Sequence, residues 1–196
     1  VFTMGDGRTC EILFTEENGG TRVMESFDAE TENAHIVDSL DAIEALCGVR
    51  PVGWYTGRVS LNTRSLVQRN GLLYDSDAYN DDLPYWTSAN QAPHLVVPYS
   101  FDCNDMRFAS APGFNTPDDF TGHLRRALDG LRRESQRGAK MMSIGLHLRL
   151  AGRPARAEAL REFLLEAARL PDVWFCRRRD IAEFWHARHP PSTEAA

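Results

Sequence analysis

Residues 51–74 read PVGWYTGRVSLNTRSLVQRNGLLY, and this stretch decides the fold. Val52 to Tyr55 is a short apolar run after Pro51 and reads as a strand. Asn62 to Asn70 reads as a short helix that stops at Gly71, and Leu72 to Tyr74 reads as a second, weaker strand. The same alternation continues in both directions. Upstream, Ile36, Leu40, Ile43 and Cys47 recur at spacings of four and three, which predicts a helix from Thr31 to Cys47 stopped by Gly48. Glu11 to Phe14 reads as a brief strand before it. Downstream, Asp75 to Pro93 has no period and reads as a long polar-aromatic loop. His94 to Tyr99 is a strand with β-branched Val96 and Val97. Thr116, Pro117, Asp118 and Asp119 make a strong helix start, and Phe120, Leu124, Leu128 and Leu131 line one face until Gly138. Met141 to His147 reads as a buried strand. Pro154 opens a helix with Leu160, Phe163, Leu164 and Ala167 inward and Pro171 past its end. Val173 to Cys176 reads as the last strand, and Asp180 as the cap of a final helix carrying Ile181, Phe184 and Trp185. Repeated strand-then-helix order predicts an α/β protein with a parallel sheet, open or closed into a barrel. In such folds chemistry collects where strands end and helices have not begun.

Composition narrows the function classes. The chain has 196 residues, 42 % of them hydrophobic and 26 % charged, the balance of a single globular domain. No run approaches the roughly 18 apolar residues of a membrane span. Val1 to Glu11 has neither the basic head nor the apolar run of a signal peptide. The net charge is −6, from 22 basic and 28 acidic side chains, which argues against a nucleic-acid partner. Cys10, Cys47, Cys103 and Cys176 stand far apart, so reduced thiols and a cytoplasmic setting are expected rather than a disulfide scaffold or zinc knuckle.

Several segments carry groups that suit chemistry. The six histidines form no H-x-x-x-H or H-E-x-x-H pattern, and no metal site or cofactor is expected. His186 and His189 stand three apart near the carboxyl end and read as a solvated helix end. His147 ends its predicted strand and precedes Arg149, Arg153 and Arg156. It reads equally as a proton-moving group and as a core histidine satisfied by backbone. GWYTGR (53–58) lets a ligand approach the backbone between two glycines, or simply makes a tight turn. YDSDAYNDDLPYW (74–86), with Asp75 and Asp77, reads as a lid over a small polar substrate or as a solvated acidic turn. YSFDCND (99–105) offers Asp102, Asp105 and the amide of Asn104 just past a strand. Cys103 lacks a Cys-His signature and reads as structural. No G-x-S-x-G elbow or phosphate-loop pattern is present.

Taken together, GWYTGR with Ser60 and Asn62-Thr63-Arg64, YDSDAYNDDLPYW, PYSFDCND and GLHLRLAGRPAR resemble the cofactor-free allantoinase branch of the polysaccharide deacetylase superfamily. The closing Val173-Trp174-Phe175 and Arg178-Arg179-Asp180-Ile181-Ala182 fit it as well. The resemblance covers about Glu30 to Trp185. It implies a distorted (β/α) barrel and hydrolysis of a cyclic amide, allantoin to allantoate in purine catabolism, with a small-molecule substrate and no metal. It places His147 in acid/base work with Glu17 or Asp102. It implies that Tyr55, Arg58, Asp77, Asn104, Arg153 and Arg156 bind substrate. Glu16-Glu17-Asn18-Gly19-Gly20 is similar to the family's early acidic motif. Where the family places further strands and helices, this chain has only Thr21 to Glu30, and a full barrel takes about 250 residues. An incomplete barrel is therefore expected. One domain is expected over 1–189, with 1–30 its divergent or truncated part and 190–196 a disordered tail. Open barrel edges would invite self-association. A metal-dependent deacetylase of N-acetylated sugars and an inactive truncated paralogue are the competing readings.

Overall fold

The computed structural model describes residues 28–57 and 59–191. They fall into two compact units. The first unit holds α1 (Ala29–Cys47), β1 (Gly53–Trp54), α2 (Thr63–Arg69), β2 (Tyr74–Asp75), β3 (Tyr85–Ala89), β4 (Ala92–Val96) and, from the end of the chain, α6 (Arg178–Arg188). The second holds 79–83 and 99–175, with α3 (Pro117–Glu134), α4 (Leu148–Ala151) and α5 (Pro154–Ala167).

In the first unit, Asp28 caps α1 by accepting the Thr31 amide at 2.8 Å, and Gly48 ends it at φ 70, where a side chain would be strained. Ile36 and Leu40 pack from α1 onto Trp54, Leu66, Val67 and Leu72. Burying an apolar side chain of this size is worth about 1.5–3 kcal/mol. Glu32 is buried on the same helix, and the hydroxyls of Ser60 and Thr63 at the start of α2 donate to it. The sheet order is β1-β2-β4-β3, with β1, β2 and β4 parallel and β3 antiparallel to β4. Among the described residues this four-stranded sheet does not close on itself, in keeping with the expected incomplete α/β barrel.

The stretch 75–93, expected to be a loop throughout, instead contains β3 and enters β4. Asn90 and Gln91 make the two-residue turn, both at positive φ (48 and 60), the conformation whose twist matches a hairpin. The Asn90 amide donates to Ser65 O and Gln68 Oε1, so α2 fixes the turn. In α6, Asp180 is not the cap. It is the third helical residue, and accepts the Arg177 amide at 2.8 Å.

In the second unit, Phe120 and Leu124 of α3 pack on Leu160, Phe163 and Ala167 of α5, around Cys103 and Ala151. Thr116 and Asp119 exchange side-chain and backbone bonds across the start of α3, a complete capping box. Met141 to His147 does not form the expected strand. Its one bridge is Asn104 to Gly145, and the Ser143 amide donates to the Ser100 hydroxyl, a side chain rather than a neighbouring strand. Val173 to Cys176 likewise joins no ladder, and Trp174 and Phe175 are exposed. Glu11 to Phe14 lies outside the described residues.

Candidate active site

In each unit a cluster of charged side chains gathers where a stretch read as a strand ends. In the first unit Asp75, the last residue of β2, is buried. Arg64 from α2 meets it with two bonds (Nε 2.7 Å, Nη2 3.2 Å), and buried His94 from β4 lies with Nε2 3.1 Å from the same carboxylate. Burial pushes the Asp75 carboxyl up, but the bonds from His94 and Arg64 outweigh it and hold the group below its ordinary range. Asp75 also accepts the amide of Asp77 at 3.0 Å, which fixes the turn leaving β2.

That turn points the Asp77 carboxylate at the chain leaving β1. The Thr56 amide lies 3.0 Å from both its oxygens, and the Gly57 amide 2.7 Å from one. Gly57 stands at φ 67, where only glycine is unstrained. Burial raises the Asp77 carboxyl to about 6, against the pull of these two amides. A carboxyl that titrates near neutral pH can give or take a proton during turnover. Tyr55 sits beside it in sequence, and its ring carries the Arg178 guanidinium 5.7 Å from its centroid. Between the two aspartates, Ser76 Oγ is buried and takes no hydrogen bond among the described residues.

In the second unit His147 occupies the residue before α4. Its Nδ1 lies 2.6 Å from Asp105 Oδ1, and its amide donates to Asp105 Oδ2 at 2.8 Å. Asp105 is fully buried and also accepts the Ala151 amide at 3.0 Å. A carboxylate on Nδ1 fixes the ring orientation and places the proton there, which makes Nε2 the basic nitrogen. This is the base-and-orienter pair of hydrolytic sites. Its backbone frame is tight. A Cβ on Gly145 would lie 1.7 Å from the Tyr99 hydroxyl and 2.6 Å from Asn104 Nδ2, so only glycine fits two residues before the histidine.

The other expected site residues have different partners. Asp102 is exposed, and its Oδ2 lies 3.1 Å from His123 Nε2. The Asn104 amide group donates to Tyr99 Oη, and its oxygen caps the turn at Met106, so both ends are spent inside the protein. Arg153 is an exposed residue at the start of α5. Arg156 stacks 4.0 Å above the Phe108 ring and donates to Leu150 O, a packing role. Glu17 and Arg58 lie outside the described residues. The residues not singled out as partners in advance are Asp105, Arg64 and His94. Asp105 was visible as a carboxylate three positions past Asp102, but spacing does not say which of the two turns back to His147.

A hollow of about 490 Å³ in the second unit is lined by Tyr79, Asp82, Tyr99, Asp102, Cys103 and Met142 among others, and not by His147 or Asp105. Among the described residues, one group of three His, Cys, Asp or Glu side chains brings its ligand atoms within 4.8 Å of one another: Asp102, Cys103 and His123. It is not the paired-histidine set a metal-dependent deacetylase reading requires, and it shares no residue with the His147–Asp105 pair. No described helix is long and apolar enough to cross a membrane.

The chain is similar to proteins named as polysaccharide deacetylases and to an allantoinase. A Schizosaccharomyces pombe protein named as a polysaccharide deacetylase is 44 % identical over 184 residues, covering 85 % of this chain and 58 % of its own length. The crystal structure of Puue allantoinase superposes with a TM-score of 0.83 at 48 % identity, over 88 % of this chain and 58 % of that one. A Pseudomonas aeruginosa PAO1 structure named as a polysaccharide deacetylase gives 0.81 at 49 % identity, over 86 % of this chain and 57 % of that one. The chain therefore spans a little under three fifths of the proteins it matches. No family model matches it.

Proposed function

We propose that the chain carries the acid/base half of an allantoinase-type amidohydrolase, opening a cyclic amide by water. The observation that carries this reading is the His147–Asp105 pair: Nδ1 is locked at 2.6 Å and the ring is oriented by a fully buried carboxylate. Hydrolysis of a ring amide needs three events. Water loses a proton as its oxygen bonds to the carbonyl carbon. The carbonyl oxygen takes negative charge. The carbon–nitrogen bond breaks as the ring nitrogen takes a proton. His147 Nε2 would take the water proton and hand it to the leaving nitrogen, with Asp105 holding the imidazolium in register. In the first unit, Asp77, which burial raises to about 6, is a further carboxyl able to give or take a proton near neutral pH.

Deacetylation of an N-acetylated sugar is the second reading. It breaks the same kind of bond, and it is favoured by the names of the Schizosaccharomyces and Pseudomonas proteins. The test is turnover by the purified chain, with allantoate measured from allantoin and acetate from N-acetylglucosamine oligomers. Allantoate formation that His147→Ala abolishes supports the first reading. Acetate release alone replaces it with the second. A chain that melts cooperatively and turns over neither substrate overturns both, leaving an inactive member of the superfamily.

A further inference from the structure

We propose that Asp102, Cys103 and His123 form a binding site for a zinc-class divalent cation, open at its fourth position. The three side chains offer a carboxylate oxygen, a sulfur and an imidazole nitrogen, all within 4.8 Å of one another, with His123 Nε2 already 3.1 Å from Asp102 Oδ2. Bond lengths of about 2.0–2.3 Å in a tetrahedral zinc site put neighbouring ligands roughly 3.2–3.8 Å apart, so the three need only a small contraction. Two of them stand on fixed backbone. The Cys103 amide donates to Ser100 O at 3.2 Å and its carbonyl accepts the Gly145 amide at 2.9 Å. His123 projects from α3, which the Thr116–Asp119 box anchors a turn and a half earlier, and its ring rests 5.7 Å from that of Phe114. Asp102 is exposed and free to adjust.

The charges agree. As the sulfur–metal bond forms, the thiol proton leaves to solvent, and one thiolate and one carboxylate neutralise a divalent ion. The hollow beside them is lined by Asp81, Asp82, Asp102 and Glu134 and by Arg126, and Lys140 lies 3.9 Å from Asp82 and 3.7 Å from Glu134, so the acids still outnumber the cations and the field favours a positive guest. A thiolate and an imidazole select zinc or cobalt over magnesium or calcium.

The test uses the reduced full chain with Cys10, Cys47 and Cys176 replaced by serine, titrated with cobalt. The expected result is a thiolate-to-cobalt charge-transfer absorption with tetrahedral visible bands at one ion per chain, displaced by zinc. Cys103→Ala should remove the charge-transfer absorption. His123→Gln, at a partly exposed position on α3, should weaken cobalt binding at least tenfold while the melting curve stays cooperative. It keeps the test decisive if Cys103→Ala fails to fold. No cobalt spectrum on the three-serine chain, or a spectrum and affinity unchanged by His123→Gln, overturns the proposal. Neither readout uses turnover, so the result stands apart from that of the amidohydrolase assay.

Discussion

Asp105 and Asp77 are both carboxylates that accept two backbone amides, yet their surroundings assign them different work. Asp105 adds a third partner, the His147 ring, and is fully enclosed. In the proposed reaction it acts through the imidazole it holds. There the imidazole carries the proton, so His147→Ala should lower kcat by on the order of 10²–10⁴. Asp105→Asn should also lower kcat by at least about a hundredfold with little change in KM, because an amide on Nδ1 permits the wrong tautomer. A merely structural role would show instead as a fall in melting temperature with kcat per folded molecule unchanged. Asp77 has no such partner among the described residues, and burial lifts it from 3.8 to about 6. The folded state then holds a proton that the unfolded chain has lost, over the window between those two values. The stability this contributes is present below about pH 4 and is lost as pH rises through about 6. Asp77→Asn should abolish that decline. Urea midpoints of both proteins across the window would check it, and a wild-type decline that survives the substitution would discount Asp77 as its source.

At the scale of elements, the helices with strong ends declare themselves, and the runs at 52–55, 72–74 and 94–99 mark β1, β2 and β4, but other strand readings fail. Thr116, Pro117 and Asp119 announce α3 in the sequence, and the structure shows the reciprocal box those residues make. Thr116→Ala should therefore cost about 1 kcal/mol, read as a urea midpoint shift without a change in slope. The hairpin of β3 and β4 was invisible for a physical reason. Its turn is Asn90-Gln91 rather than an asparagine–glycine pair, and much of its hold comes from Gln68 and Ser65 of a distant helix. Gln91 is exposed at φ 60, where a Cβ is strained. Gln91→Gly should relieve this and raise stability by about 1 kcal/mol. A loss instead would show that the Gln91 side chain holds the turn. Two apolar runs misled in the opposite direction. Met141–Ile144 and Val173–Phe175 have strand composition, but composition cannot supply a ladder partner, and the backbone of Ser143 turns to the Ser100 hydroxyl instead. The site was legible to the same depth. His147 stood out by its place after an apolar run, whereas its union with Asp105 rather than Asp102 depends on a backbone turn that no spacing encodes.

Across the whole molecule, acid stability follows from how the charges are held. The chain carries 28 acidic and 22 basic side chains. Hydrogen bonds lower the carboxyls of Asp119 and Asp28 at helix starts. Arginine partners lower those of Glu166, Asp172, Glu158 and Asp180. A lowered folded-state value contributes stability above the unfolded value that is lost as pH falls through the folded one, so all six act against folding below about pH 4. Asp77 acts the other way between about 4 and 6. These opposed slopes should place the stability maximum on the acid side of neutrality, and Asp77→Asn should move it upward. The six lowered groups lie mostly exposed and are screened by salt. About 1 M sodium chloride should therefore shrink the acid loss, while Glu166→Gln alone should leave it in place because the effect is shared. Urea midpoints from about pH 3 to 8 at low and high salt would show this. A wild-type curve that climbs steadily through pH 7 would mean that the burial cost at Asp77 is too small to set the optimum.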